Sequence, residues 1–218
     1  MKRVAVILSG CGVFDGAEIH ESVLVLLALD RANAQVICAA PDMPQRDVVN
    51  HVTQQVSKTE TRHVLAESAR IARGAISPVS ELKVSELDAV ILPGGFGAVK
   101  NLSNFAAKGV DFTVHPQVSQ VLQEAHRAGK PLGFACIAPA IAAKLFGAEK
   151  VDFTIGTDAA TASALEKSGG RHLTCPVQHA VVDRRLKIAT TPAYMLAKRI
   201  TEAEAGINEM VNAVLEMA

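Results

Sequence analysis

Tryptophan is absent, tyrosine occurs once and phenylalanine seven times, so aromatic residues make up only 4% of the 218-residue chain. So few rings leave little from which to build a stacking platform for bases or sugars. Excess charge of either sign is also missing, since 22 Lys and Arg are matched by 22 Asp and Glu. That balance removes the electrostatic reason to expect nucleic acid or an anionic membrane as a partner. No apolar run approaches the roughly 20 residues needed to cross a bilayer. The run Val4-Ala5-Val6-Ile7-Leu8, after Lys2-Arg3, has the start of a leader but stops at Ser9-Gly10-Cys11-Gly12 and the charged Asp15 and Glu18, so it reads as a first strand. The four cysteines, Cys11, Cys38, Cys136 and Cys175, are widely spaced, with no Cys-x-x-Cys and no paired histidine. A disulfide framework and a zinc site are therefore disfavoured, and a reducing compartment, the cytoplasm, is expected. Gly94-Gly95 is not followed by Gly-Lys-Ser/Thr, and Gly10-x-Gly12 lacks a third glycine, so neither is a phosphate or dinucleotide loop. No metal or cofactor is expected, and small soluble ligands remain.

What is present is alternation. Short apolar runs at 4–8, 35–39, 89–92, 131–135 and 187–190 are separated by amphipathic stretches near 17–32, 62–72, 116–128, 138–146, 159–168 and 194–216. This is the pattern of βαβ units on a parallel sheet covered on both faces. Two weaker extended runs, 151–155 and 176–183, suggest an edge hairpin or extra strands. No linker or repeat divides the chain, so residues 1–218 are expected to form a single domain. In open parallel sheets ligands sit at the carboxyl ends of the strands. Three strands here end in unusual loops: Ser9 to Glu18, Pro93-Gly94-Gly95-Phe96-Gly97, and the turn at Cys136. These loops are expected to converge.

Cys136 lies in Pro131-Leu132-Gly133-Phe134-Ala135-Cys136-Ile137-Ala138-Pro139. Small neighbours suit a tight strand-to-helix elbow, and Pro139 suits the first helical turn. The helix N-terminus would favour thiolate and lower the thiol pKa. The turn alone leaves Cys136 open between a nucleophile and a buried core cysteine. Cys38, inside a strand, and Cys175, before Pro176, read as structural. Backbone N–H groups of the glycine loop could serve an oxyanion. Glu18 also has two readings. With Asp15 as N-cap it would be a capping-box partner, or it could point at Cys136 as a general acid or base. None of the seven histidines is placed beside Cys136 by spacing. The long loop 101–115 would form a lid or a dimer contact.

The elbow, the Leu92-Pro93-Gly94-Gly95-Phe96-Gly97 loop and Glu18 resemble the PfpI-like, class I glutamine-amidotransferase-like superfamily. Ile7 to Glu21, Lys100-Asn101-Leu102-Ser103-Asn104-Phe105 and Thr190 to Leu196 resemble the ElbB (enhancing lycopene biosynthesis, glyoxalase-like) family over the whole chain. The resemblance implies a flavodoxin-like three-layer α/β/α sandwich, commonly dimeric, with Cys136 as nucleophile and Glu18 as its acid partner. It places the oxyanion and substrate contacts at Gly94, Gly95, Ile137 and Cys11. It also implies weak, cofactor-independent conversion of glyoxal to glycolate, and a small aldehyde as substrate.

Departures from the superfamily pattern narrow the chemistry. The His-x-Glu pair of amidotransferases is missing, since His172-Leu173-Thr174 and His179-Ala180-Val181 stand in its place. The histidine that follows the cysteine in PfpI-type peptidases is Ile137 here, and Thr154 to Asp158 lacks the histidine of many glyoxalase relatives. A glyoxalase-type lyase in which Glu18 moves the proton is expected. The alternatives are a redox or carbonyl-stress sensor with little turnover, or a relative that binds an isoprenoid-pathway metabolite without catalysis.

Overall fold

A computed structural model describes residues 1–218. The strands, in chain order, are β1 (Arg3–Ile7), β2 (Gln35–Ala40), β3 (Val49–Asn50), β4 (Gln55–Val56), β5 (Ile76–Pro78), β6 (Ala89–Leu92), β7 (Leu132–Ala135), β8 (Asp152–Phe153), β9 (Arg171–His172), β10 (Val181–Asp183) and β11 (Ile188–Thr191). The helices are α1 (Ile19–Arg31), α2 (Val64–Ile71), α3 (Phe96–Lys100), α4 (Phe105–Lys108), α5 (Pro116–Arg127), α6 (Pro139–Phe146), α7 (Ala159–Glu166) and α8 (Ile200–Met217). Seven strands form one sheet in the order β10-β11-β7-β6-β1-β2-β5, parallel except for the β10–β11 hairpin at one edge. Helices cover both faces, giving the flavodoxin-like three-layer α/β sandwich.

The continuous apolar runs are explained by burial on both sides. Ala5 and Ile7 of β1 join a cluster of 31 buried residues with α5 and α6, while Val4 and Val6 join a cluster of 23 with α1 and α8. The inner strands β1, β2, β6, β7 and β11 each serve two cores, so both their faces are largely apolar. The 176–183 run supplies the edge strand β10, whereas 151–155 supplies β8, which pairs with β9 outside the main sheet.

Several elements are not signalled by the sequence, among them α3, α4, which lies inside the expected long loop 101–115, and the β3–β4 hairpin. β5 has no clear signal, because Ile76-Ser77-Pro78 is short and contains proline, which is tolerated only at a sheet edge. The helix expected over 194–216 is broken. A 3-10 turn spans Ala193–Met195, with Ala193 at φ 43°, and α8 begins only at Ile200 after an extended Arg199. Glu202 Oε2 accepts from the Lys198 and Arg199 N–H groups and so caps the restart. The break turns the Tyr194 N–H back toward α1.

The tightest packing of α8 onto the sheet occurs at Gly206, where an added Cβ would lie 2.4 Å from the Val177 carbonyl oxygen and 2.5 Å from Thr191 Oγ1. Gly→Ala inside a helix ordinarily stabilises by about 1 kcal/mol. At Gly206 the backbone clash outweighs that gain, and Gly206→Ala is expected to destabilise by about 1–3 kcal/mol. Urea unfolding of the two proteins checks the sign.

Candidate active site

Cys136 sits on the turn between β7 and α6 at φ 60°, a left-handed conformation that a non-glycine residue holds only at a cost. The turn is held by the Cys136 N–H donating to the Thr191 carbonyl at 2.9 Å and by the Ala138 N–H donating to the Ala135 carbonyl at 2.9 Å. Pro139 occupies the first turn of α6, as expected. The Cys136 side chain is buried, with 8% of the residue exposed.

The three loops meet around it. Glu18 N–H donates to the Gly94 carbonyl, Phe96 N–H to the Val13 carbonyl and Gly97 N–H to the Gly16 carbonyl, lacing the β1 loop to the β6 loop. The contact is too close for side chains. A Cβ on Gly94 would fall 2.4 Å from Cys136 Cβ, and one on Gly95, at φ 93°, would fall 2.4 Å from the Glu18 nitrogen.

The carboxyl beside Cys136 is Glu21: a Cβ placed on Gly94 would touch both Cys136 Cβ, at 2.4 Å, and Glu21 Oε2, at 2.6 Å. It is fully buried on the first turn of α1, where Oε2 accepts from the Gly94 N–H at 2.9 Å and Oε1 from the Tyr194 N–H at 3.1 Å. Burial and the nearby Glu18 charge push the Glu21 pKa up to about 7. Burial and the Glu21 charge push the Cys136 thiol well above its ordinary value, although the Gly95 and Ile137 N–H groups pull it down. The expected lowering by the helix N-terminus is thus present but outweighed, because a second negative charge beside a dry thiolate costs more than two N–H groups return. Near neutral pH the sulfur therefore keeps its proton while Glu21 passes between its protonated and ionised forms.

Glu18 plays a part that neither sequence reading describes. It is itself the N-cap of α1, with Oε2 accepting from the Glu21 N–H at 2.6 Å, so it is not the third residue of a capping box. Asp15 caps nothing. Its buried carboxylate accepts from the Val49 N–H at 2.6 Å and ties down the excursion that carries β3 and β4. Glu18 still faces the space beside Cys136, but the direct partner of the sulfur is one helical turn further on.

The oxyanion assignments also divide. The Gly95 and Ile137 N–H groups favour negative charge on the sulfur, as oxyanion donors would. Gly94 cannot serve in this way, because its N–H is committed to Glu21. Cys11 does not line the cavity. It lies beside Glu67, Arg70 and Arg62, against α2, and burial raises its pKa.

In front of Cys136 lies a cavity of about 320 Å³ lined by twelve residues, nine of them hydrophobic. Phe105 and Ala106 of the long 101–115 loop form part of its wall, with Phe105 packed edge-on against Phe112 at 4.9 Å between centroids. Tyr194 lines the same cavity and hydrogen-bonds through its hydroxyl to His20 Nδ1 at 2.8 Å. His20 is thus the histidine that the fold brings to the site, through the tyrosine. Burial and the Glu18 and Glu21 charges raise the Tyr194 pKa. Sequence reasoning misses both Glu21 and Tyr194. Glu21 has a signal, since the buried stripe of α1 (Leu24, Val25, Ala28, Leu29) extends back one turn onto it. Tyr194 has none, because its position depends on the break before α8.

No family model matches the chain. The chain is 46% identical over 224 residues to the glutamine amidotransferase-like class 1 domain-containing protein 3 of Homo sapiens, covering 99% of this chain and 83% of that protein. It is 34% identical over 207 residues to the ES1 protein of Danio rerio, covering 88% and 77%. Among solved structures, an isoprenoid biosynthesis protein with an amidotransferase-like domain from Ehrlichia chaffeensis superposes with a TM-score of 0.94 at 37% identity, covering 100% of this chain and 99% of that one. A DJ-1 superfamily protein from Agrobacterium tumefaciens shares the fold, with a TM-score of 0.59 at 16% identity over 99% and 89% of the two chains. These findings overturn the expected cytoplasmic location, since the human and zebrafish relatives and a rat ES1 homologue are all named mitochondrial. Unpaired cysteines and short apolar runs, on which that expectation rested, do not distinguish one reducing compartment from another. The buried cysteine on its elbow, the glycine loop across from it and the whole-chain likeness to these relatives agree: the chain belongs to the class 1 glutamine amidotransferase-like (ES1) family.

Proposed function

We propose that this protein is a cofactor-independent, glyoxalase-like lyase of the ElbB branch, converting a small 2-oxoaldehyde such as glyoxal into a hydroxy acid through Cys136. The observation that carries this reading is the buried Glu21 carboxyl beside Cys136, with the Gly95 and Ile137 N–H groups favouring negative charge on the sulfur. Ionised Glu21 takes the thiol proton as sulfur adds to an aldehyde carbon. The carbonyl electron pair moves to oxygen, which the two N–H groups stabilise and which then takes a proton to give a hemithioacetal. The proton on that carbon is removed and one is delivered to the neighbouring carbonyl carbon, leaving a thioester of the hydroxy acid. Water releases the acid and restores the thiol. One carbon is oxidised as its neighbour is reduced, so only water is consumed.

Glu21 suits the proton transfers because its pKa lies near the working pH, where general acid–base catalysis is most effective. Glu18 acts through it, since the Glu18 charge helps hold the Glu21 proton affinity up. The description of the Ehrlichia protein supports a link to isoprenoid synthesis. A homodimer, which the family resemblance implies, would cover the stripe Ile19, Val23 and Leu27 that α1 leaves exposed. The sensor alternative is less well supported, because sensor cysteines combine a low pKa with access, and Cys136 has neither.

Glycolate formation from glyoxal should fall to background in Cys136→Ala. Glu21→Gln should lower kcat by about 10²–10⁴-fold, and Glu18→Gln by much less. Full activity in the cysteine variant would remove the reading. The wild-type kcat/KM should rise with pH through a midpoint near 7, because Glu21 must be ionised to accept the thiol proton. In Glu18→Gln that midpoint should move to lower pH, since a charge that raises it is gone. A pH–rate profile of both proteins reads the shift.

A further inference from the structure

The cavity in front of Cys136 is larger and more apolar than glyoxal needs. At about 320 Å³ it falls within the range of pockets that enclose drug-sized ligands. Glyoxal displaces about three waters' worth of that space at roughly 30 Å³ each, and the remainder would stay wet against an apolar wall. The wall is also aromatic in a chain with few aromatics: the single tyrosine and two of the seven phenylalanines line it. Phe96 is 46% exposed, so a ring on that wall has a face free to be covered. The charge of the cavity is one-sided. No lysine, arginine or histidine is among the twelve lining residues, and Glu18 adds a carboxyl. Lys100, which lies over the Phe96 ring, is held by Asp47 at 2.9 Å and does not line the cavity.

We infer that the site takes 2-oxoaldehydes carrying a bulky apolar arm, aryl or branched alkyl, and no negative charge, with the arm packed between Phe96 and Phe105. This rests on the carbonyl reading of Cys136 above and names the substrate class of that site. With such a substrate the sulfur adds to the terminal aldehyde carbon, the proton on that carbon passes to the ketone carbon, and water releases an arm-bearing 2-hydroxy acid. Carboxylate- or phosphate-bearing aldehydes are rejected, because their charge would enter beside Glu18 with no cation to meet it.

The test compares glyoxal, phenylglyoxal and 4-carboxyphenylglyoxal as substrates of the full-length protein. The expected kcat/KM for phenylglyoxal exceeds that for glyoxal by about ten- to a hundredfold, in the range hydrophobic pockets deliver for added apolar groups. The carboxylated analogue should be disfavoured by about tenfold relative to phenylglyoxal, a gap that Glu18→Gln should narrow. Phe105→Ala should reduce the phenylglyoxal-to-glyoxal ratio. A second readout needs no turnover: protection of Cys136 from iodoacetamide by 2-hydroxyacetophenone against hydroxyacetone. Turnover with glyoxal equal to or better than phenylglyoxal overturns the substrate class and leaves the catalytic reading standing. No turnover of any aldehyde, but protection by the aryl ketone alone, overturns the catalytic reading and upholds the class. Equal protection by both ketones, or by neither, overturns the class.

Discussion

The burial of one carboxyl organises this molecule. Glu21 is fully enclosed, and an enclosed carboxylate survives only where hydrogen bonds replace water. Its two oxygens take the N–H groups of Gly94 and Tyr194, and the carboxyl lies beside Cys136. These partners come from the loops after β6, β11 and β7, and Glu21 itself from the helix after β1. Four segments distant in sequence are therefore held to one point by a polar group that cannot be left unsatisfied. Any movement of one loop strands a buried donor or acceptor, which makes the arrangement stiff.

The same enclosure sets the chemistry. Water exclusion raises the cost of charge on both sulfur and carboxyl, so the resting pair keeps a proton and the thiolate forms only as substrate takes up the charge. A cysteine of this kind differs from the electropositive, accessible thiols that react with any oxidant. Its reactivity depends on an electrophile small or apolar enough to enter a cavity in which the Gly95 and Ile137 N–H groups are already aimed. The close approach of Gly94 to Cys136 Cβ keeps these parts within bonding distance, and the left-handed Cys136 backbone directs the sulfur out of the strand toward them.

The site is partly legible in the sequence. Small residues around Cys136 and Pro139 after it indicate an elbow, and glycines after an apolar strand indicate a close approach. Both inferences depend on local geometry, which short-range sequence controls. The choice of Glu18 over Glu21 fails because both lie at the start of one helix, and spacing alone does not say which carboxyl turns inward. Burial decides it. Glu21 continues the buried stripe of Leu24, Val25, Ala28 and Leu29, whereas Glu18 stays at the helix end as its cap. Cys11 fails for a related reason: its loop meets the site, but its own side chain turns toward α2.

By itself the sequence determined the layered parallel sheet, because apolar runs buried on both faces with amphipathic segments between them pack in few other ways. It also determined that Cys136 stands on a strand-to-helix turn opposite a glycine loop. Only the tertiary structure decided which carboxyl meets the sulfur, that Gly94 serves that carboxyl, and that Tyr194 with His20 belongs to the site. The reason is that these depend on contacts between segments 73 to 174 residues apart, and on a helix break whose role is visible only once α1 is in place. The thiol's proton affinity likewise depends on burial and on neighbouring charge, and neither is a property of the residues around it in the chain.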